Sequence, residues 1–201
     1  MPEKIYVGDL ESLVENKKVE GKQLKIGNEN FYKITNVDKM RPFFMSIVSN
    51  SNHWMFISST GSLSAGRKNS EFSLFPYYTD DKITESSDTT GSKTIILVKK
   101  NNKNFLWEPF SNRYEGAYKV SRNIYKNTIG NKVIFEEINH DLNVEFSYQW
   151  NSSNIYGFVR KSSIKNNSND DLDINILDGI QNILPYGVGE GLQIAQSNLV
   201  D

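Results

Sequence analysis

The stretch Gly61-Ser-Leu-Ser-Ala-Gly66-Arg67-Lys68-Asn69 nearly spells a phosphate-binding loop. A true one has lysine directly after the second glycine, then a hydroxyl residue for magnesium. Here Arg67 stands in the lysine place and Lys68 in the hydroxyl place. The flanks read as a loop between strands, whereas cradling a phosphate needs a helix start. The sequence therefore argues against a nucleotide site. Asp171-Leu-Asp173-Ile-Asn175 opens like a calcium loop, but Ile176 stands where glycine is required and Asn182 where glutamate is required. Its alternation reads instead as the wet face of a strand. His53 and His140 are the only histidines, and no HxH or HExxH spacing occurs, so no zinc motif is present. A Ser/His/Asp triad stays open, because sequence does not fix spatial proximity. No Gly-x-Ser-x-Gly elbow is present.

Paired acids occur at Asp80-Asp81, Glu136-Glu137 and Asp170-Asp171. Neighbours in a strand face opposite sides, so Glu136 and Glu137 cannot act together on one substrate. Asp170-Asp171 falls in a turn. Asp80-Asp81 follows Pro76-Tyr77-Tyr78 and shares a loop with Arg67. Aromatics, arginine and aspartate on one loop can stack on a sugar ring and hydrogen-bond its hydroxyls. Arg67, Tyr77, Tyr78, Asp80 and Asp81 are therefore the candidate carbohydrate-binding residues. The competing reading is a loop packed by its own aromatics. No catalytic residue, metal site or cofactor follows from any motif.

The elements that must position these residues read as strands. Leu142-Asn-Val144-Glu-Phe146-Ser-Tyr148-Gln-Trp150 alternates apolar and polar without a break. Strict period two puts one set on a buried face and the other on a wet face of an antiparallel sheet. Residues 156–165 and 172–176 continue the pattern as a meander. Residues 22–33 read as an edge hairpin with its turn near Gly27-Asn28. Residues 43–48, 53–58, 93–99, 104–108, 118–123 and 132–138 complete the strands. Residues 59–70 read as a loop, 79–92 as irregular, and 9–18 and 177–184 as short helical segments, with Gly187, Gly189 and Gly191 in a loose tail. Many short strands with frequent turns predict an all-β antiparallel sandwich. The expected layout is a lead-in over residues 1–30, the sandwich over 31–184 and a linker over 185–201. The chain ends on Asn198-Leu-Val-Asp201 without a polar taper, so a piece of a longer protein is expected.

A chain of 201 residues buries about 70% of its unfolded surface and needs no staples. It has no cysteine, which excludes disulfides and thiolate metal sites. Its 23 basic and 24 acidic residues give a net charge of −1, spread evenly, so neither nucleic acid nor an anionic membrane is an expected partner. No signal-peptide core or membrane span is visible, and a soluble cytoplasmic protein is expected.

Three pieces carry a family resemblance. Ile57-Ser-Ser-Thr-Gly-Ser62, with Phe75-Pro-Tyr-Tyr78 after it, resembles an early Asn-Thr-Gly-Gly-type turn. Asn104-Phe-Leu-Trp107-Glu-Pro-Phe110 resembles a "-W-x-P-" strand end, and residues 142–178 resemble the meander that follows. In this order they resemble the N-terminal β super-sandwich of cellobiose-phosphorylase-type glycoside phosphorylases and hydrolases, a galactose-mutarotase-like fold. The departure at Ser58-Ser-Thr-Gly leaves the subfamily unassigned. The resemblance implies a non-catalytic domain that shapes one side of a substrate cleft and helps form a homodimer. It implies a C-terminal (α/α)6 catalytic domain that holds the general acid, and a carbohydrate as ligand. Two alternatives remain: a free-standing carbohydrate-binding or structural module, and a mutarotase-like epimerase working through a histidine and a glutamate.

Overall fold

The computed structural model describes residues 4–7, 10–13, 17–76, 80–100 and 102–195. The alternating stretch becomes one arm of a six-stranded antiparallel sheet. Strands β3 (Glu20–Ile26) and β4 (Glu29–Thr35) form its hairpin edge, and β10 (Val120–Asn127), β11 (Lys132–Asn139), β12 (Val144–Ser153) and β13 (Gly157–Asn166) complete it in the order β13-β12-β11-β10-β4-β3. The second layer is two three-stranded sheets. One runs β5 (Phe44–Ile47), β6 (His53–Ser58) and β7 (Leu63–Arg67); the other has β8 (Gly91–Lys100) between β9 (Lys103–Trp107) and β14 (Asp173–Gln181). A separate hairpin pairs β1 (Lys4–Val7) with β2 (Leu10–Leu13).

Period two decides what is buried. Along β12, Val144, Phe146, Tyr148 and Trp150 are buried while the residues between them are half-exposed. They meet Met55, Ile57, Leu63 and Ala65 from one small sheet and Ile96, Val98 and Trp107 from the other in a single core cluster. Each such aliphatic or aromatic side chain contributes about 1.5–3 kcal/mol through burial. The chain is thus an all-β antiparallel sandwich, as the alternation predicts.

Several local expectations are corrected. The meander ends at β13: the next strand, β14, leaves the large sheet and pairs with β8, Ile176 opposite Ile96. The large sheet begins at Glu20, so it takes in part of the segment expected as a lead-in. Residues 10–13 are strand rather than helix, because the ladder to β1 supplies their backbone partners. The expected loop 59–70 contains β7, whose Leu63, Ser64, Ala65 and Gly66 are all buried. The irregular stretch contains α1 (Asp80–Glu85), strand continues to Gln181 where a helical turn is expected, and the glycine-rich tail contains α2 (Glu190–Ala195).

Candidate functional site

The near-phosphate-loop segment is a sheet component. Gly66 sits in β7 bridged to Ser73, and the Leu74 amide donates to the Ala65 carbonyl at 2.8 Å. The chain therefore turns at Lys68 (φ 60°) and runs back along β7, with Phe75 buried in the core. It then enters α1, which the Ser62 hydroxyl holds by donating to the Ile83 carbonyl. Arg67 is the exposed last residue of β7, at the far end from Ser62. At about 3.3 Å per residue, the strand separates Arg67 from the helix that Asp80 and Asp81 open. The side chains of Asp80 and Asp81, and Tyr77 and Tyr78 altogether, lie outside the described residues. Of the expected sugar-binding residues, the described structure therefore places only Arg67, at the end of β7 away from the start of α1.

The two histidines lie apart. His53 Nδ1 pairs with the Ser51 hydroxyl at 2.7 Å, and its ring meets Phe158 edge to face. His140 Nε2 pairs with the Ser121 hydroxyl at 2.8 Å. Neither imidazole contacts a carboxylate among the described residues, so no Ser/His/Asp triad is assembled there. No group of three metal-ligating side chains occurs among the described residues.

A different site forms where the 3-10 turn Val37–Lys39, the β6–β7 turn, the segment after β9, the start of β10 and the middle of β11 converge. They enclose a cavity of about 250 Å³. Its apolar side includes Val37, Phe110 and Phe135; its polar side includes Asp38, Thr60, Asn112 and Arg122. The register explains the polar side. Arg122 and Glu137 are Cα partners across β10 and β11, and both point into the sandwich. Glu137 is only 1% exposed. Its Oε1 accepts from Trp107 Nε1 at 2.8 Å, and its Oε2 accepts from the Phe110 amide and from Arg122 Nε, each at 2.7 Å. Arg122 also donates from Nη1 to Asn112 Oδ1 at 2.8 Å and from Nη2 to the Ser111 carbonyl at 2.7 Å. The guanidinium is thereby fixed with two of its five N–H groups uncommitted.

Phe110 adopts φ 66°, a region that bulky residues rarely enter. The amide bond to Glu137 holds it there, as does ring packing against Tyr148 at 5.1 Å and Phe135 at 6.3 Å. Strain of this kind costs about 1–3 kcal/mol and persists only where the surroundings enforce it. Across the cavity, Asp38 Oδ2 lies 3.0 Å from Lys39 Nζ, while Oδ1 is buried with no hydrogen-bond partner among the described residues. A fixed donor, an uncommitted buried acceptor and an aromatic wall together suit a small ligand that both donates and accepts. Glu137 is fully enclosed by its three donors and cannot meet a ligand directly.

No family model and no curated protein sequence matches this chain.

Sequence reading missed this site, although one signal was present. Glu136 and Glu137 face opposite sides, so one of them had to enter the core. An inward acid requires an inward partner, and Arg122 in Val120-Ser-Arg122-Asn-Ile124 was the candidate. The unusual Phe110 backbone and the approach of Asp38 have no local sequence signature.

Proposed function

We propose that this chain is a non-catalytic saccharide-recognition sandwich of a carbohydrate-active enzyme, a glycoside phosphorylase or hydrolase. The sugar site is the cavity at Asp38, Phe110, Asn112 and Arg122. The observation that carries this reading is that one cavity holds the fixed Arg122 donors, an Asp38 Oδ1 with no partner among the described residues, and the Phe110 ring. Sugar hydroxyls are donors and acceptors at once, and the C–H face of a pyranose packs on an aromatic ring. The cavity lies just below the range of about 300–1,000 Å³ that suits drug-sized ligands, which favours a single sugar unit. The ordered resemblance over roughly residues 30–184 adds the enzyme context. In it, bond cleavage belongs to a further (α/α)6 domain, and this domain contributes a wall of the cleft and a subunit contact in the cytoplasm. A free-standing binding module would use the same cavity.

The test is calorimetric titration of the chain with mono- and disaccharides, repeated on Asp38→Asn and Asn112→Ala. The expected result is binding of at least one sugar, weakened about tenfold or more in each variant with circular dichroism unchanged. Absence of binding across the panel, or binding that neither variant alters, overturns the reading.

A further inference from the structure

The end of the sandwich opposite the Arg122 cavity carries a second recess. β6 and β10 run from one to the other: Arg122 and Thr60 lie at the cavity, whereas Asn50 and Ile129 lie at the far end. Three loops meet there, following β5, β10 and β12, and enclose a groove of about 510 Å³. Its polar lining is Ser49, Asn50, Asn131, Ser152 and Asn154, and none of its lining residues is ionisable.

The groove is a built feature rather than a gap between loose loops. The Val48 amide donates to the Gly130 carbonyl at 3.0 Å, tying the first loop to the second. Asn127 organises the second loop: its Oδ1 accepts from the Gly130 and Lys132 amides, and its Nδ2 donates to Asn131 Oδ1 at 2.7 Å. That bond orients the Asn131 amide and leaves its Nδ2 as a donor. Ser153 Oγ accepts from the Ile155 and Tyr156 amides and shapes the third loop. The Ser152 hydroxyl is buried with no partner among the described residues, on the inner-face stripe that Trp150 precedes. Buried polar groups are almost always hydrogen-bonded, so this exception in the lining of the recess points to a missing polar partner.

The chemistry narrows that partner. Amides and hydroxyls without charge favour a neutral ligand rich in hydroxyl groups. Anions, nucleic acids and charged peptides would meet no counter-charge, since the adjacent Lys132 is paired with Glu29 at 2.5 Å. Next to the lining residue Asn154 on the third loop, Ile155 and Tyr156 are 83% and 80% exposed, and the lining residue Ile129 is 70% exposed. An exposed tyrosine beside uncharged amides offers a ring face to a sugar and hydrogen bonds to its hydroxyls. The recess is open and spans three loops, so it suits a chain rather than a single ring.

We propose that this groove binds a neutral oligosaccharide chain, as a site separate from the Arg122 cavity. The inference shares its ligand class with the proposed function but rests on different residues. The experiment is amide NMR of the chain titrated with neutral hexasaccharides of gluco-, xylo- and manno-configuration, with a neutral Asn/Ser-rich peptide as comparison. It is repeated on Asn154→Ala, Tyr156→Ala and the cavity variant Asp38→Asn. The expected result is shifts at residues 48–50, 129–131 and 152–156, weakened at least fivefold in the two groove variants and retained in Asp38→Asn. Shifts confined to the cavity overturn the groove while the cavity reading stands. Shifts at the three loops without any at the cavity support the groove and remove the cavity. Loop shifts with the peptide alone, or loop shifts that neither groove variant weakens, overturn the groove.

Discussion

At the scale of single residues, the decisive feature is a charge inside the core. Glu137 is buried on the inner face of β11 and accepts three N–H donors, two of them from the Trp107 and Phe110 segment. Removing it would leave the largely buried Arg122 charge without its carboxylate and the Trp107 and Phe110 N–H groups without acceptors. Breaking a buried pair from one side costs about 3–5 kcal/mol. Glu137→Ala is therefore expected to lower unfolding free energy by about that amount in urea titrations. Glu137→Gln can keep an amide oxygen for the Phe110 amide and Arg122 and should be the milder variant. Equal stability of Glu137→Ala and the parent would show that the network does not hold the cavity together. The outward neighbour Glu136 has other duties: it accepts from Tyr125 and Asn123 on the opposite face. Desolvation, and then the Glu136 carboxylate beside it, push the Tyr125 hydroxyl well above its ordinary range.

At the scale of elements, β7 explains a glycine that looked chemical. A Cβ on Gly66 would lie 2.6 Å from the Phe72 carbonyl oxygen and 2.9 Å from Ser73 Cα. The chain after Arg67 folds back so closely along β7 that only glycine fits. Backbone cannot yield as a side-chain tip can, so overpacking of about 1–3 kcal/mol is expected for Gly66→Ala. Thermal unfolding followed by circular dichroism would check this, with a lower midpoint expected. An unchanged midpoint would mean that residues 72–74 do not pack on β7. The glycine spacing that resembled a phosphate loop thus serves strand packing. The opening of α1 is set by the same turn-back, because Ser62 can reach the Ile83 carbonyl only after the chain has returned along the strand.

At the scale of the whole molecule, one ion pair joins the two layers on their open side. Arg160 on β13 donates from Nη1 and Nη2 to the two oxygens of Asp178 on β14 at 2.8 and 2.7 Å. Thr94 on β8 and Ser162 on β13 donate to the same carboxylate. Desolvation alone would raise the Asp178 pKa; the bonds from Arg160, Ser162 and Thr94 outweigh it and bring the value down to about 2. Because the folded value is depressed, the unfolded chain binds more protons in acid. The contribution is complete above the unfolded carboxylate range near pH 4 and is lost as pH falls towards 2. It is of order 2 kcal/mol at neutral pH. Denaturant titrations from pH 6 to 2 should show this loss, and Asp178→Asn should be less stable at pH 6 with a flatter acid limb. Parallel acid limbs in the two proteins would show that Asp178 does not link the layers.

The sequence determined the alternation and therefore the fold class. Period two along residues 142–150 decides which side chains are inside whatever the strand pairs with, and Gly27-Asn28 marks a hairpin turn by backbone preference alone. Strand partners over long separations were not legible: β14 reads like the next strand of the meander, yet it pairs with β8, about eighty residues earlier. Local pattern fixes a strand's faces but not its neighbour, which depends on which unpaired edge the rest of the chain leaves open. The candidate sites follow the same division. Arg67, Tyr77, Tyr78, Asp80 and Asp81 are near in sequence, but the return of the chain along β7 sets Arg67 away from the start of α1. Asp38, Phe110 and Arg122 come from a 3-10 turn, a loop and a strand, and Asn50, Asn131 and Asn154 from three separate loops. Only the packing of two sheet layers brings them together, so their chemistry belongs to the tertiary structure.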